Sequence, residues 1–489
     1  MGSEAAPGAR EGVSIISKND LKCSLLQLEC HFTWVLLKED VDLDAIEDKM
    51  GNQIEFLTQS TIASYNMLSY VCHLKHLNED ALQNLRKAEK EIKTKHADDI
   101  ERRSLVTWGN YAWIYYCMNK YEEVQTYLRK VEDTCKKLSS TARFQVQLPE
   151  IYSEKGWALL QFGRTCYFRA KESFRSALEK EPNDPEFNVG YAIALYRLEN
   201  STRGSDRNEI STLKALRRAV ELSPNDTSVM ALLALKLQAL NLVDEGESYI
   251  KEAMEKTPDF PYFLRYAAIF YRKKSEFDKS LELLRKSLAI TPKCSFLHHQ
   301  MGLCYRGKLF QLKKKKYPPR EEEEELIRHG IFHFERTIEY KSTFFFAYGD
   351  LAGMYAEAKQ YREAEATFQK VFEMTNLHPA DKQYLHHAYG NYQYFHMKSE
   401  SEAIKHFTEG LKVEQDCLAR EKCKNSLQKL LERRIQNGLG DAAAFSKLGF
   451  IHQLNSEKVQ AIECYEKALD LDPANEEYLG ELWKLRSSI

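Results

Sequence analysis

The sequence predicts an all-α fold, a solenoid of stacked helix pairs. Three observations point to it. First, glycine (21) and proline (12) are scarce in a chain of 489 residues. Leu, Ala, Lys and Glu are plentiful, a composition that favours helix and supplies few breakers. Second, four prolines close similar segments: ALEKEP, AVELSP, AMEKTP and SLAITP, at Pro182, Pro224, Pro258 and Pro292. The last two steps are 34 residues each, and the first, 42, is one such period plus eight. Third, small and large residues recur at fixed offsets ahead of those prolines.

A 34-residue period ending in proline is that of the tetratricopeptide repeat (TPR), a helix–turn–helix unit. Its first helix carries a small residue. Its second carries small, large and small residues, so that two helices approach closely around one bulky side chain. Ala158, Ala170, Phe174, Ala177 and Pro182 fit this pattern, as do Gly449, Ala461, Tyr465, Ala468 and Pro473. So do Ser69–Ala81–Leu85–Ala88, Ala112–Val124–Leu128–Val131, Ala268–Ser280–Leu284–Ser287 and Ala352–Ala364–Phe368–Val371. About ten repeats are expected over residues 61–489, forming one superhelix. Residues 1–20 read as a disordered tail. Residues 21–60 read as a helical segment without the repeat pattern, packed on the first repeats. Insertions are expected near 199–209 and 307–326. The second holds Lys313–Lys316, Pro318, Pro319 and Glu321–Glu325, read as an exposed loop whose charges neutralise each other.

Other classes find little support. The formal net charge is −2, so a polyanion ligand requires positive charge segregated onto one face. The N-terminus has no apolar run of signal-peptide length, and Ala6 stands where a myristoylation signal needs Ser or Thr. The longest apolar run, near Val229–Leu235, is too short to span a bilayer. The eleven scattered cysteines contain no C-x-x-C pair and suggest reduced, mostly buried thiols and a cytoplasmic address. There is no P-loop, dinucleotide-binding glycine loop or H-E-x-x-H. The His298–His299 and His386–His387 side chains diverge around their helices, which makes them poor chelates. No enzyme, cofactor or metal site is expected.

The expected function lies in the concave face lined by first helices. Positions 2, 5, 9, 12 and 13 of each first helix point to that face, since i, i+3, i+7 and i+10 lie on one side of a helix and i+11 beside them. They hold Glu186, Ile193, Tyr196 and Arg197, then Tyr262, Arg265, Arg272 and Lys273, then Phe296, His299 and Arg306. Phe346, Tyr384, His387 and Tyr394 follow. Arginines interleaved with aromatics suit a single-stranded nucleic acid, cations meeting phosphates and rings meeting bases. Arginines buried there without carboxylate partners are costly unless an anion arrives. An acidic peptide also meets that need. The alternative function is therefore a TPR protein-interaction scaffold or co-chaperone. The Lys-then-Asn clamp of carboxylate-binding TPR grooves is missing, since Leu159 follows Lys155 and Ile269 follows Arg265.

Specific motifs carry a closer resemblance. CHFTW (Cys30–Trp34), NQIEFL (Asn52–Leu57), RSLVTWGNYAW (Arg103–Trp113) and EKGWALL (Glu154–Leu160) are four of them. GYAI-x-x-YRL (Gly190–Leu198), RYAA-x-FYR (Arg265–Arg272) and LHHQMGLCY (Leu297–Tyr305) complete the set. From about Leu21 to Leu485 the chain resembles the interferon-induced proteins with tetratricopeptide repeats. The resemblance implies a cytoplasmic antiviral protein that grips the 5′ end of single-stranded RNA, as a triphosphate or a cap lacking 2′-O-methylation, and blocks translation. It implies that Lys49, Gln53, Tyr167, Arg197, Tyr262, Arg265, Tyr266, Arg272, His299 and Gln300 contact the RNA end and its phosphates. It implies a cap slot of Leu57, Trp157, Glu186 and Ile193, with the guanine stacked on Trp157. Tyr465 and Leu469 match a Y-x-x-x-L pattern through which some relatives pair with themselves or each other. Tyr465 is also the large core position of its repeat. Three positions depart from the family pattern: Gln161 replaces a lysine, Asn391 an arginine and Asp226 the asparagine of cap binders.

Overall fold

The computed structural model describes residues 18–36, 43–56, 61–201, 206–375, 377–414 and 417–487. For residues 45, 48, 49, 52, 53, 55, 56, 201 and 206–209 it describes the backbone only. The described residues form helices and turns with no strand. The chain divides into two compact units, Met1–Glu199 with Asp206–Phe260, and Asn200–Ser205 with Pro261–Ile489.

In the first unit, Thr61–Leu74 pairs with Asn78–Lys95, Leu105–Cys117 with Tyr121–Lys137, and Pro149–Gln161 with Tyr167–Lys180. Pro185–Ser201 and Asp206–Leu222 follow, then Thr227–Ala239 against Val243–Lys256. In the second unit the pairs are Pro261–Lys273 with Phe277–Ile290, Ser295–Lys313 with Arg320–Tyr340, Phe345–Glu357 with Tyr361–Phe372, and Pro379–Phe395 with Glu400–Lys412. A single helix, Leu418–Gln436, precedes the pair Ala442–Leu454 and Lys458–Leu471, and Glu476–Ser487 closes the stack.

The pattern positions explain the pairing. Ala158, Ala170, Phe174 and Ala177 are at most 1% exposed, and Ala268, Ser280, Leu284 and Ser287 are equally buried. Several of the large residues, Phe174, Phe407 and Tyr465 among them, sit over a glycine of a neighbouring helix. A Cβ placed on Gly390 would lie 2.5 Å from the Phe407 ring. One on Gly302 would lie 2.6 Å from Phe334. In the second unit first helices also touch the next first helix, Pro261–Lys273 against Ser295–Lys313, that helix against Phe345–Glu357, and Phe345–Glu357 against Pro379–Phe395, so there they form one layer.

The turn joining first to second helix repeats as well. His76, Asn119, Asn241, Ser275, Lys359 and Ser456 all adopt positive φ, between 59° and 66°. The next residue's N–H then bonds the carbonyl five residues back, as Glu276 does to Tyr271 and Gln360 to Tyr355. This is a Schellman closure made without glycine. Asp184, Asp226 and Asp441 accept backbone N–H bonds at the start of first helices, satisfying orphan donors there.

The N-terminal segment is tied to the first repeats. His31 N–H donates to Asn110 Oδ1 at 3.2 Å, and Phe32 stacks on Trp113 with centroids 5.7 Å apart. Arg169 donates to the Trp34 and Val35 carbonyls. At the later insertion both helices lengthen, leaving a turn at 314–319 in which Tyr317 is exposed. Lys313 joins it to the repeats by pairing with Glu323 and Glu357. The earlier insertion, near 199–209, falls on the end of the helix Pro185–Ser201 and the start of Asp206–Leu222, and residues 202–205 between them lie outside the described residues, as does the N-terminal tail up to residue 17. All eleven cysteines are free thiols, seven of them buried. No described helix is long and apolar enough to cross a membrane.

Two outcomes follow for stability. Gly390→Ala forces a methyl against Phe407, itself 2% exposed, and is expected to cost ~1–3 kcal/mol, read as a lower denaturant midpoint. An unchanged midpoint contradicts the close approach. Burial depresses the pKa of four histidines: His31 and His333 to about 3, His386 and His387 to about 4. His298, His406 and Lys422 add to the effect on His333, His386 and His387 respectively. These folded values lie below the ordinary 6.5, so the stabilisation is complete above pH 6.5 and is lost as pH falls from there to about 4 for His386 and His387 and to about 3 for His31 and His333. Each contributes up to ~1.4 kcal/mol per pH unit in that window. Glu154, raised to about 7 by burial, works in the opposite sense but is one group against four. The melting temperature should be clearly lower at pH 5 than at pH 7, and equal values would contradict the neutral, buried histidines.

Candidate nucleic-acid interface

In the first unit the candidate residues gather on the helix Pro149–Gln161 and its neighbours. Trp157 is half-buried. Its Nε1–H donates to Glu186 Oε1 at 3.1 Å, and its ring meets Phe174 edge-on at 5.2 Å. The indole plane is therefore fixed from two sides. Glu154, one turn earlier, accepts from Asn66 Nδ2 at 2.8 Å. Burial, reinforced by nearby Glu186, raises its pKa to about 7 despite that hydrogen bond. Asn66 Oδ1 is buried with no partner. Ile193 is 4% exposed, a wall rather than a contact surface. Arg197 lies 5.9 Å over the Tyr167 ring and donates to the Leu160 carbonyl at 2.7 Å. Gln161 folds back onto the Trp157 carbonyl at 3.2 Å. Asp226 is an N-cap, accepting from Ser228 and Val229 N–H, with its pKa raised by burial.

In the second unit, Arg265 is surrounded by rings. Its guanidinium lies 4.7 Å from Tyr262, 5.2 Å from Tyr266 and 4.8 Å from Phe296, and its buried Nε has no hydrogen-bond partner. Cation–π contact stabilises such a cation, and Tyr266 also bonds the guanidinium, but neither satisfies Nε. Two turns further on along the same helix, Arg272 Nε donates to Gln300 Oε1 at 3.1 Å. Burial first, and then Arg306, lower the Arg272 pKa. Burial and Arg272 do the same to Lys273, whose side chain still reaches solvent. An ammonium flanked by protein yet open on one side has both properties. Arg272, destabilised by Arg306, and Lys273, destabilised by Arg272, are both placed to gain from an anion.

The expectation that the inward arginines lack carboxylate partners fails at Arg306. Its guanidinium pairs with Asp350, which is 3% exposed. His299 and Tyr384 bond the same carboxylate at 2.8 and 2.7 Å. Burial alone would raise the Asp350 carboxyl, but Arg306, His299 and Tyr384 outweigh it and hold it well below the usual carboxylate range. Sequence reading passed over Asp350, although a signal existed: it is the only charged residue between Lys341 and Glu357. It also passed over the buried pair Lys236–Glu199, 2.5 Å apart, and the Asn66–Glu154 contact.

Lys49 and Gln53 lie on the helix Leu43–Phe56, but their side chains are outside the described residues, and Leu57 is outside altogether. Tyr465 is 3% exposed, packed against Leu482 and Leu485, and donates to Gln453. It fills the core, while Leu469 stays partly accessible. Asn391 approaches His387 on its own helix. Among the described residues no cluster of three metal-ligating side chains occurs.

Comparison with known proteins agrees with this architecture. The tetratricopeptide repeat family is matched over residues 442–475. Human protein IFIT1 homolog B is 46% identical over 460 residues, covering 92% of this chain and 97% of that protein. Human interferon-induced protein with tetratricopeptide repeats 2 is 42% identical over 476 residues, covering 95% and 99%. Among solved structures, a monomeric mutant of IFIT1 with Gppp-AAAA is similar at TM-score 0.84 and 44% identity, covering 92% of this chain and 99% of that one. A human IFIT1 dimer with PPP-AAAA is similar at TM-score 0.82 and 44% identity, covering 93% and 100%. Identity at this level across nearly the whole length establishes that the chain belongs to the interferon-induced proteins with tetratricopeptide repeats.

Proposed function

We propose that this chain is a cytoplasmic antiviral effector that binds the 5′ end of single-stranded RNA and withholds it from translation. The end is a triphosphate or a cap lacking 2′-O-methylation. The observation that carries the reading is Arg265, a cation enclosed by three rings with an unpaired buried Nε, in a chain 44% identical to an IFIT1 solved with Gppp-AAAA. Arginine and aromatic side chains on one layer of helices are the chemistry of single-strand binding.

In the first unit, Trp157 stacks the guanine of a cap, its plane set by Glu186 and Phe174. Glu186 also reads the base edge, and Leu57 and Ile193 close the slot. Arg197 and Gln53 take the terminal phosphates, with Lys49 supplying charge that Gln161 lacks and Tyr167 supporting Arg197. In the second unit, Arg265, Arg272 and His299 follow the sugar–phosphate chain, supported by Tyr262, Tyr266 and Gln300. The role is binding, with no bond made or broken. A human IFIT1 relative is a dimer. If this chain pairs through its C-terminal repeats, Leu469 is the contact and Tyr465 its internal support.

Mobility-shift titrations with matched RNAs carrying a triphosphate, an unmethylated cap, a 2′-O-methylated cap or a 5′-hydroxyl test this. Triphosphate and unmethylated-cap RNAs should bind tightest, with affinity falling steeply as salt rises. Trp157→Ala should weaken capped RNA about tenfold, the scale of one lost base stack, and triphosphate RNA less. Equal binding of all four RNAs, or unchanged cap binding by the variant, would sink the end-specific reading. Capture of an acidic peptide instead of RNA would favour the scaffold alternative.

A further inference from the structure

Asp350 gathers donors from two other helices onto one buried carboxylate. His299 and Arg306 reach it from Ser295–Lys313, and Tyr384 reaches it from Pro379–Phe395. It thereby ties together the first helices of three consecutive repeats of the second unit. We propose that Asp350 is the positioning residue of that face: it fixes His299 so that its Nδ1 is presented to the ribose–phosphate chain of single-stranded RNA. The proposal rests on the RNA-binding reading above.

Three observations carry it. An ionised carboxylate only accepts, so the hydrogen on His299 must sit on Nε2, facing Asp350 Oδ2 at 2.8 Å. Phe344 at 4.7 Å and Phe334 at 5.6 Å hold the ring in place. Orientation and tautomer are both set before any ligand arrives.

The other nitrogen, His299 Nδ1, has no partner, although the residue is only 7% exposed. A buried polar atom left unpaired is costly and calls for an explanation. As a lone pair it accepts from a ribose hydroxyl, and protonated it donates to a phosphate oxygen.

Charge supplies the third observation. Arg272, Lys273 and Arg306 crowd this part of the layer, and Asp350 is the carboxylate that pairs with Arg306. A network built only to hold the helices together has no need of surplus cations. One built around an incoming polyanion does.

Asp350→Asn separates positioning from simple electrostatics, because the two predict opposite signs. Removing a negative charge beside Arg272 and Arg306 should by itself strengthen binding of an anion. Loss of positioning should weaken it about tenfold, the scale of one charge-assisted hydrogen bond. The probe is a 5′-triphosphate single-stranded oligoribonucleotide, with melting curves as the folding control. The double variant Asp350→Asn/His299→Ala should bind as His299→Ala does, since Asp350 acts through His299.

Stronger or unchanged binding by Asp350→Asn, or additive losses in the double variant, overturns the proposal. If Asp350→Asn melts below assay temperature, Asp350→Glu keeps the charge and displaces the acceptor. Affinity then falling to the His299→Ala level supports positioning, and wild-type affinity overturns it. Arg265→Ala serves as the reference. If the wild type binds no RNA, or Arg265→Ala binds as wild type, the RNA reading itself falls. If only the Asp350 variants fail to respond as stated, that reading survives and the positioning role does not.

Discussion

The constraint on which the structure depends is the contact between one bulky second-helix side chain and the backbone of a first helix. Phe174, Phe334 and Phe407 are each at most 2% exposed and each lies over a glycine, at Gly156 and Gly190, at Gly302 and at Gly390. The same rings touch residues on the first-helix layer. Phe174 supports the edge of Trp157, Phe334 lies 5.6 Å from His299, and Phe407 lies 5.9 Å from His387. Packing and site geometry are thus set by the same side chains. A core that cannot yield, because it is close-packed, holds these first-helix side chains in place.

The candidate residues of the two units have opposite electrostatics. Around Trp157 stand carboxyl groups, Glu186 on its indole N–H and Glu154 one turn away, the latter pushed towards neutral pH by burial. Around Arg265 and Arg272 stand phenols, an amide and further cations. An acid-flanked indole suits an electron-poor base, and ring-flanked guanidiniums suit phosphates. A chain of net charge −2 can hold both because charge is sorted locally, over single turns of helix.

Much of this was legible in the sequence for a physical reason. Helix pairing depends on residue size at fixed offsets, so the 34-residue period named Ala158, Phe174, Ala268 and Phe368 as core, and they are. The face of each first helix follows from the same register. What stayed hidden were polar partners drawn from other repeats. The carboxylate of Arg306 lies 44 residues away and that of Lys236 lies 37 away, and no periodicity dictates either. Asp226 read as a departure from the asparagine of cap binders, and its two backbone hydrogen bonds show that it caps a helix. Tyr465 read both as a core residue and as a pairing residue, and its burial places it in the core.

The most direct test of the account is a structure of this chain with a short capped or 5′-triphosphate RNA. The account predicts the terminal base against the Trp157 ring, terminal phosphates at Arg197, and the following phosphates within hydrogen-bond distance of Arg265, Arg272 and His299 Nδ1. RNA bound elsewhere, or bound with Arg265 Nε and His299 Nδ1 still unpaired, would contradict it.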